Sequence, residues 1–192
     1  MDYNKVIYKS GSKTLTIAGN NVSFIDDSGS SKNILEEDAK RVADSLMKNI
    51  GIKTTGNYEL DGFSKSESSY SFEYFLKFKK FKIFSSKAEV EVSALGIKSF
   101  SVSFFNIDNQ LEKKQDICSC DEALLTFMYE IKKKNIEENI FINNIELGYD
   151  FQNTGEIAEG RSLKLVPCYY IYVANEESPY IIDAYKNEIK LG

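Results

Sequence analysis

The chain has 192 residues, of which 42% are hydrophobic, 28% are charged and 13% are aromatic, and its net charge is −5. This is the composition of a folded protein, and the negative balance argues against a nucleic-acid partner, which requires a basic surface. The sequence contains no histidine. That absence excludes catalytic sites built on a histidine base and the usual histidine-ligated zinc and iron sites.

The first thirty residues predict a β-hairpin. Apolar and polar residues alternate in segment 14–17 and again from Val22 to Phe24, with Gly19-Asn20-Asn21 between them. Glycine and asparagine tolerate the positive φ that a tight turn requires. A polar loop follows at residues 26–31.

A first helix is predicted from Asn33 to Ile50. Asn33 is a candidate N-cap with Glu36 three residues later, and Gly51 stands where a terminating glycine belongs. Apolar residues recur at helical spacing through the segment, which predicts a single apolar face that lies on a sheet.

Alternating apolar residues between positions 58 and 104 predict a set of strands. The alternation changes parity at Lys79-Lys80, which predicts a bulge or kink, because side chains along a strand point strictly to opposite faces. The lysine-rich segment 77–82 is interpreted as a strand with one solvated face.

A second helix is predicted to open at Ser119, because Ser119 and Glu122 have the spacing of a capping box. Its predicted apolar face consists of Ala123, Leu124, Phe127, Met128 and Ile131.

Three further strand patterns follow, at residues 145–151, 163–173 and 180–184. Pro167 lies inside the second of them, which predicts an edge strand or a bulge. Helix followed by three strands therefore occurs twice. We predict an α+β fold of two tandem units, 1–109 and 110–192, each with one helix packed on an antiparallel sheet of three or more strands, the first preceded by the hairpin.

Neither the cysteines nor the clustered acids form a convincing chemical site. Cys118, Cys120 and Cys168 lack a second pair that would complete four metal ligands, so we predict no metal site, no cofactor and no catalytic residue. Acidic residues cluster at positions 36–38, 137–138 and 176–177. These clusters leave a carboxylate-based glycan hydrolase as a weaker alternative, since such catalysis requires two carboxyl groups that face one cleft.

The C-terminal segments 163–173 (LKLVPCYYIYV) and 180–185 (YIIDAY) resemble the closing motif of PepSY-like modules. That motif is a strand with proline and an aromatic residue, followed by a hairpin to a strand that ends in Asp-Ala or Asn-Ala. More narrowly, the chain from Ile34 onward is similar to the extracytoplasmic part of YycI/YycH-type regulators of Gram-positive bacteria. Segments 82–84 and 88–94 and the helix opening at 119–124 also carry this resemblance. Lys186-Asn187 departs from the glycine-containing final turn of that family.

The resemblance implies a non-enzymatic regulatory domain of a two-component system linked to the cell wall. Its expected partner is a membrane sensor histidine kinase, a paralogous regulator, or both. It implies a location on the extracellular side of the cytoplasmic membrane, with an N-terminal anchor that is not present in this chain.

The candidate contact residues lie in the last two strand patterns, because exposed tyrosines bury a large area in an interface at low entropic cost. They are Tyr170, Tyr172, Asp183 and Tyr185. An open alternative is that the strand tyrosines face a second packed layer. A second functional hypothesis is a secreted peptide- or ligand-binding module of the peptidase-inhibitor type, with the peptide added to a sheet edge or held over Phe72, Tyr74 and Phe78.

Overall fold

A computed structural model describes residues 5–29, 32–51, 56–107, 115–134, 139–152, 164–176 and 178–190. The chain divides into two compact units, Met1–Asp108 and Asn109–Gly192. The boundary predicted between residues 109 and 110 lies outside the described residues. Neither helix in the described part of the chain is long and apolar enough to cross a membrane.

The first unit is mostly antiparallel sheet. Its elements are β1 (Lys5–Ser10), β2 (Lys13–Ala18), β3 (Asn21–Asp26), α1 (Glu36–Asn49), β4 (Asn57–Lys65), β5 (Ser69–Phe78), β6 (Phe81–Ser93) and β7 (Gly96–Ser103). The strands follow the spatial order β1-β2-β3-β7-β6-β5-β4, and each neighbouring pair is antiparallel.

The predicted N-terminal hairpin is a three-stranded meander. The predicted pair corresponds to β2 and β3, joined by a turn at Gly19 with φ 56°, and β1 adds a third strand on the outer side. The other edge of β3 pairs with β7, where Phe24 stacks on Phe100 with ring centroids 5.7 Å apart. The meander is therefore an extension of the main sheet and does not precede it as a separate hairpin.

Lys79-Lys80 forms a tight turn between β5 and β6, so the bulge or kink predicted there is wrong. Phe78 pairs with Phe81, and the two lysines between them have φ values of 48° and 75°. A two-residue hairpin with positive φ at both central positions is the geometry that Asn-Gly usually provides.

Helix α1 covers the middle of this sheet. It begins at Glu36 with Leu35 as its N-cap, two residues later than the predicted Asn33, and the Leu35 side chain caps nothing. Ala39 and Ala43 are fully buried against the sheet. Their small side chains let the helix approach a cluster that includes Phe72, Tyr74, Val90, Val92 and Val102.

The second unit contains one helix and four strands in the described residues. They are α2 (Cys120–Lys133), β8 (Ile142–Phe151), β9 (Leu165–Val173), β10 (Tyr180–Asp183) and β11 (Glu188–Ile189). The strands pair antiparallel in the order β8-β9-β10-β11. The predicted capping box is confirmed: Ser119 N donates to Glu122 Oε2 at 2.7 Å, and Ser119 Oγ accepts from Glu122 N.

Pro167 lies in a strand that is paired on both sides, so its assignment to an edge strand is wrong. β9 pairs with β8 on one side and with β10 on the other. The β10 ladder ends where Asp183 faces Cys168, and the Pro167 carbonyl then accepts from Ala184 N at 2.9 Å. A residue in an antiparallel strand directs its N–H and its C=O to the same side. The N–H that Pro167 lacks would therefore face the chain just past the end of β10.

The predicted α+β class with two equivalent helix-plus-three-strand units is wrong. Among the described residues there are eleven strands and two helices, with seven strands in the first unit and four in the second. Strands thus make up most of the described residues. The alternation of apolar and polar residues was not interpreted as a strand at β1. The number of strands in the sheet was also underestimated, because adjoining hairpins have no long polar loops to separate them.

Candidate interaction surfaces and a buried polar cluster

Strand β9, which carries two of the predicted contact residues, is covered on both faces. On one face Tyr169, Ile171 and Val173 are buried in a cluster with α2. On the other, Val166, Cys168 and Tyr170 are buried as well. Tyr170 is only 8% exposed, which agrees with the alternative that this face is also packed.

The Tyr170 hydroxyl belongs to a buried polar cluster centred on Asp150. It donates to Asp150 Oδ2 at 2.9 Å, and Lys190 Nζ donates to the same oxygen at 3.0 Å. The Phe151 amide donates to Asp150 Oδ1 at 2.8 Å, and the Phe151 carbonyl accepts from Lys190 Nζ. Asp150 is 3% exposed, so these contacts replace water around a buried carboxylate.

The electrostatics of this cluster indicate a structural role. Burial raises the pKa of Tyr170 well above its usual value, and the neighbouring Asp150 charge raises it further, so the hydroxyl stays protonated and donates. Burial also raises the pKa of the Cys168 thiol to about 12, which keeps it protonated and unreactive at neutral pH. The cluster joins β8, β9 and the chain after β11.

Asp183, another predicted contact residue, is buried and shapes the final turn. Its Oδ1 accepts from the amides of Tyr185 and Lys186 at 2.9 and 3.1 Å. Asn187 adopts φ 54° in the same turn, and its side chain accepts from Thr126 Oγ1 at 2.9 Å. Asp183 therefore organises the β10–β11 connection, and Asn187 attaches that connection to α2.

The remaining predicted contact residues are more accessible. Tyr172 is half-buried and shares a face of β9 with Tyr170, whereas Tyr185 is exposed in the turn after β10. The structure therefore leaves only Tyr172 and Tyr185 reachable by a partner, and their role in binding stays a prediction.

Sequence reasoning missed an exposed apolar surface on β1. All six residues of this strand are exposed, including Val6, Ile7 and Tyr8. Val6 and Tyr8 lie on one face and Ile7 on the other, because strand side chains alternate. The run Val6-Ile7-Tyr8 between Lys5 and Lys9 was a usable strand pattern.

A second missed surface lies on the outer side of α2. Leu125, Met128 and Tyr129 are 65%, 60% and 62% exposed, although Met128 was predicted to face the core. The inner side is formed by Ala123, Phe127 and Ile131. Apolar residues at positions 125, 128 and 129 have helical spacing of their own, which was the available signal.

The residues considered for other functions have structural positions. Phe72 and Tyr74 are core residues beneath α1, so they do not line a ligand cleft. Glu36, Glu37 and Asp38 form the first turn of α1, where acids complement the helix dipole. Residues 137–138 and 177 lie outside the described residues. In the described part of the chain no cluster of acids and cysteines could hold a metal ion.

The three cysteines are free thiols in different environments. Cys118 is half-buried, Cys120 is exposed at the start of α2 and Cys168 is buried. Burial raises the pKa of Cys118 above its ordinary value, and nearby Glu122 adds to the effect.

Comparison with known proteins shows similarity of fold alone. No protein-family model matches the sequence, and no curated protein is significantly similar to it. An uncharacterized protein from Eubacterium rectale is similar over 99% of this chain and 76% of its own, with a TM-score of 0.66 and 11% identity. The C-terminal domain of Bacillus megaterium YpeB is similar over 99% of this chain and 88% of its own, with a TM-score of 0.52 and 12% identity.

The likeness to the YpeB domain loosely fits the PepSY-like part of the resemblance at the level of fold. It does not support the narrower assignment to YycI/YycH-type regulators. At this level of identity the two likenesses show the fold and no role.

Proposed function

We propose that this chain is a non-enzymatic interaction module on the extracellular side of the cytoplasmic membrane that modulates a membrane sensor histidine kinase by direct contact. The resemblance of the C-terminal segments to PepSY-like and YycI/YycH-type modules supports the class of function. The structural observation that carries the proposal is the accessible edge strand β1.

Within the described residues, β1 pairs with β2 along one edge only. Its other edge offers backbone donors and acceptors to an incoming strand, and apolar side chains are exposed on both of its faces. Natural proteins usually protect such an edge, because it is a template for strand addition. An exposed edge with Val6, Ile7 and Tyr8 is therefore suited to bind an extended segment of a partner.

The charges of β1 define the segment that it would bind. Lys5 and Lys9 flank the apolar run, so the complementary strand has apolar residues in its centre and acidic residues towards its ends. We expect such a segment in the extracellular domain of the kinase.

The proposal is tested by measuring binding of the chain to the extracellular domain of the sensor kinase encoded beside it. Val6→Lys combined with Tyr8→Lys removes the apolar side chains from one face of β1. Leu95→Lys is the matched control, since Leu95 is exposed in the same unit but lies in the β6–β7 turn. We expect wild type and control to bind alike and the β1 variant to lose about tenfold or more in affinity.

No binding by wild type would reject this kinase as the partner, and equal binding by the β1 variant would reject β1 as the contact surface. The second candidate function, a secreted module that binds an extended peptide, also uses this edge. It is favoured if acidic-flanked apolar peptides bind to wild type but not to the β1 variant while the kinase domain does not bind.

A further inference from the structure

Helix α2 has two apolar sides, although packing on the sheet requires only one. Ala123, Phe127 and Ile131 are buried in a cluster that includes Tyr169, Ile171 and Ile182. On the opposite side, Leu125, Met128 and Tyr129 are each at least 60% exposed. A cluster of three large exposed side chains on one helix is typical of a surface that another molecule covers.

The outer side has the spacing of a coiled-coil seam. Asp121, Leu125, Met128 and Lys132 are separated by four, three and four residues, and all four are exposed. Alternating intervals of three and four place residues along one stripe that faces a partner helix. The stripe begins with an acid, continues through two apolar residues and ends with a base.

We propose that two copies of this chain bind each other through antiparallel α2 helices. Reversing the stripe places Leu125 opposite Met128 of the second copy and Asp121 opposite Lys132 of the second copy. Two apolar layers are then enclosed by two pairs of opposite charge, and the same patch serves both copies, as a two-fold interface requires. The stripe is thus complementary to itself when reversed.

Charge selects the antiparallel orientation. A parallel pair would place Asp121 beside Asp121 and Lys132 beside Lys132, which is unfavourable, whereas the antiparallel pair also opposes the two helix dipoles. Among the described residues neither Asp121 nor Lys132 has an ion-pair partner. Lys133, in contrast, is already paired with Glu130 at 2.6 Å and lies over the Tyr129 ring at 4.6 Å.

The seam is short, so the dimer is expected to be weak. Four layers extend over about 17 Å of helix, which buries less area than a stable, specific interface requires. We therefore expect association in the range of about 10 µM to about 1 mM. The proposal does not depend on the kinase or on β1.

The test is sedimentation equilibrium of the whole chain across that range, under reducing conditions because Cys120 is exposed. Wild type should show a reversible monomer–dimer equilibrium. Leu125→Asp should be monomeric, whereas Leu95→Asp should behave as wild type, since Leu95 is 63% exposed but lies in the other unit. Circular dichroism confirms that each variant is folded.

A charge swap tests the orientation. Lys132→Glu alone places acids opposite Asp121, and Asp121→Lys alone places bases opposite Lys132; each should weaken the dimer about tenfold. The two changes together restore opposite charges and should restore association to within about threefold of wild type. A monomeric wild type, an unaffected Leu125→Asp variant or a double variant that does not recover would overturn the proposal.

Discussion

The Lys190 ammonium lies 3.0 Å from the Asp150 carboxylate, and the two side chains are only 9% and 5% exposed. Asp150→Ala would remove the negative charge beside this buried ammonium and the carboxylate oxygen to which the Tyr170 hydroxyl donates. We expect a loss of about 3–5 kcal/mol in the free energy of unfolding, measured by urea denaturation. The double variant Asp150→Leu with Lys190→Met should lose less, because it leaves no unpaired charge. Equal losses would contradict this assignment.

Tyr169 is buried against α2, and its hydroxyl donates to the Cys118 carbonyl at 3.0 Å. Tyr169→Ala should lower the free energy of unfolding by about 3 kcal/mol, because a large aromatic side chain is removed from the core. Tyr169→Phe retains the ring and should cost about 1 kcal/mol for the lost hydrogen bond. Denaturation of both variants separates packing from hydrogen bonding. If the free energy of unfolding of the alanine variant falls by much less than about 3 kcal/mol, Tyr169 is not a core residue.

The β5–β6 turn places two lysines in the left-handed region, with φ values of 48° and 75°. Lys79→Asn combined with Lys80→Gly should stabilise the protein by about 1 kcal/mol, because asparagine and glycine adopt this conformation more readily. Gly96→Ala provides the opposite control. Gly96 has φ 109°, and an added Cβ would meet no atom within 4 Å. A loss of about 1 kcal/mol in the free energy of unfolding would therefore come from backbone strain alone.

Helix α1 starts with an N-cap, Leu35, that cannot accept a hydrogen bond from the first turn. Leu35→Asp supplies an acceptor and a favourable charge, and should raise the free energy of unfolding by about 1 kcal/mol. Ser119→Ala, at the N-cap of α2, should lower it by a similar amount. A thermal or urea denaturation series that shows no gain for Leu35→Asp would contradict the assigned start of α1.

The thiols should react with an aromatic disulfide reagent in a fixed order. A raised pKa means less thiolate at a given pH, and a value of about 12 leaves about one part in 10⁴ of Cys168 ionised at pH 8. We expect Cys120 to react first, Cys118 more slowly and Cys168 only after unfolding. The Cys120→Ser variant should lose the fast phase, and rapid labelling of all three thiols in the folded protein would contradict the burial of Cys168.

Features that depend on local spacing were predictable. The capping box of Ser119 and Glu122 needs only the right residues three positions apart, and it is confirmed. Lys79-Lys80 was recognised as a discontinuity, but a tight turn was not predicted, because lysine rarely occupies positive φ. The N-cap of α1 is Leu35 and not the predicted Asn33, and no side-chain hydrogen bond caps this helix start, so the sequence carries no capping signal at the right position.

The sequence by itself determined which residues alternate along β9 and which recur around α2, since strand and helix periodicity are properties of the backbone. Only the tertiary structure decided what covers each face. Tyr170 is buried because its face of β9 is packed as well, and Met128 is exposed because the sheet contacts the other side of α2. Periodicity gives the direction of a side chain relative to its neighbours, whereas burial depends on residues that are distant in the chain.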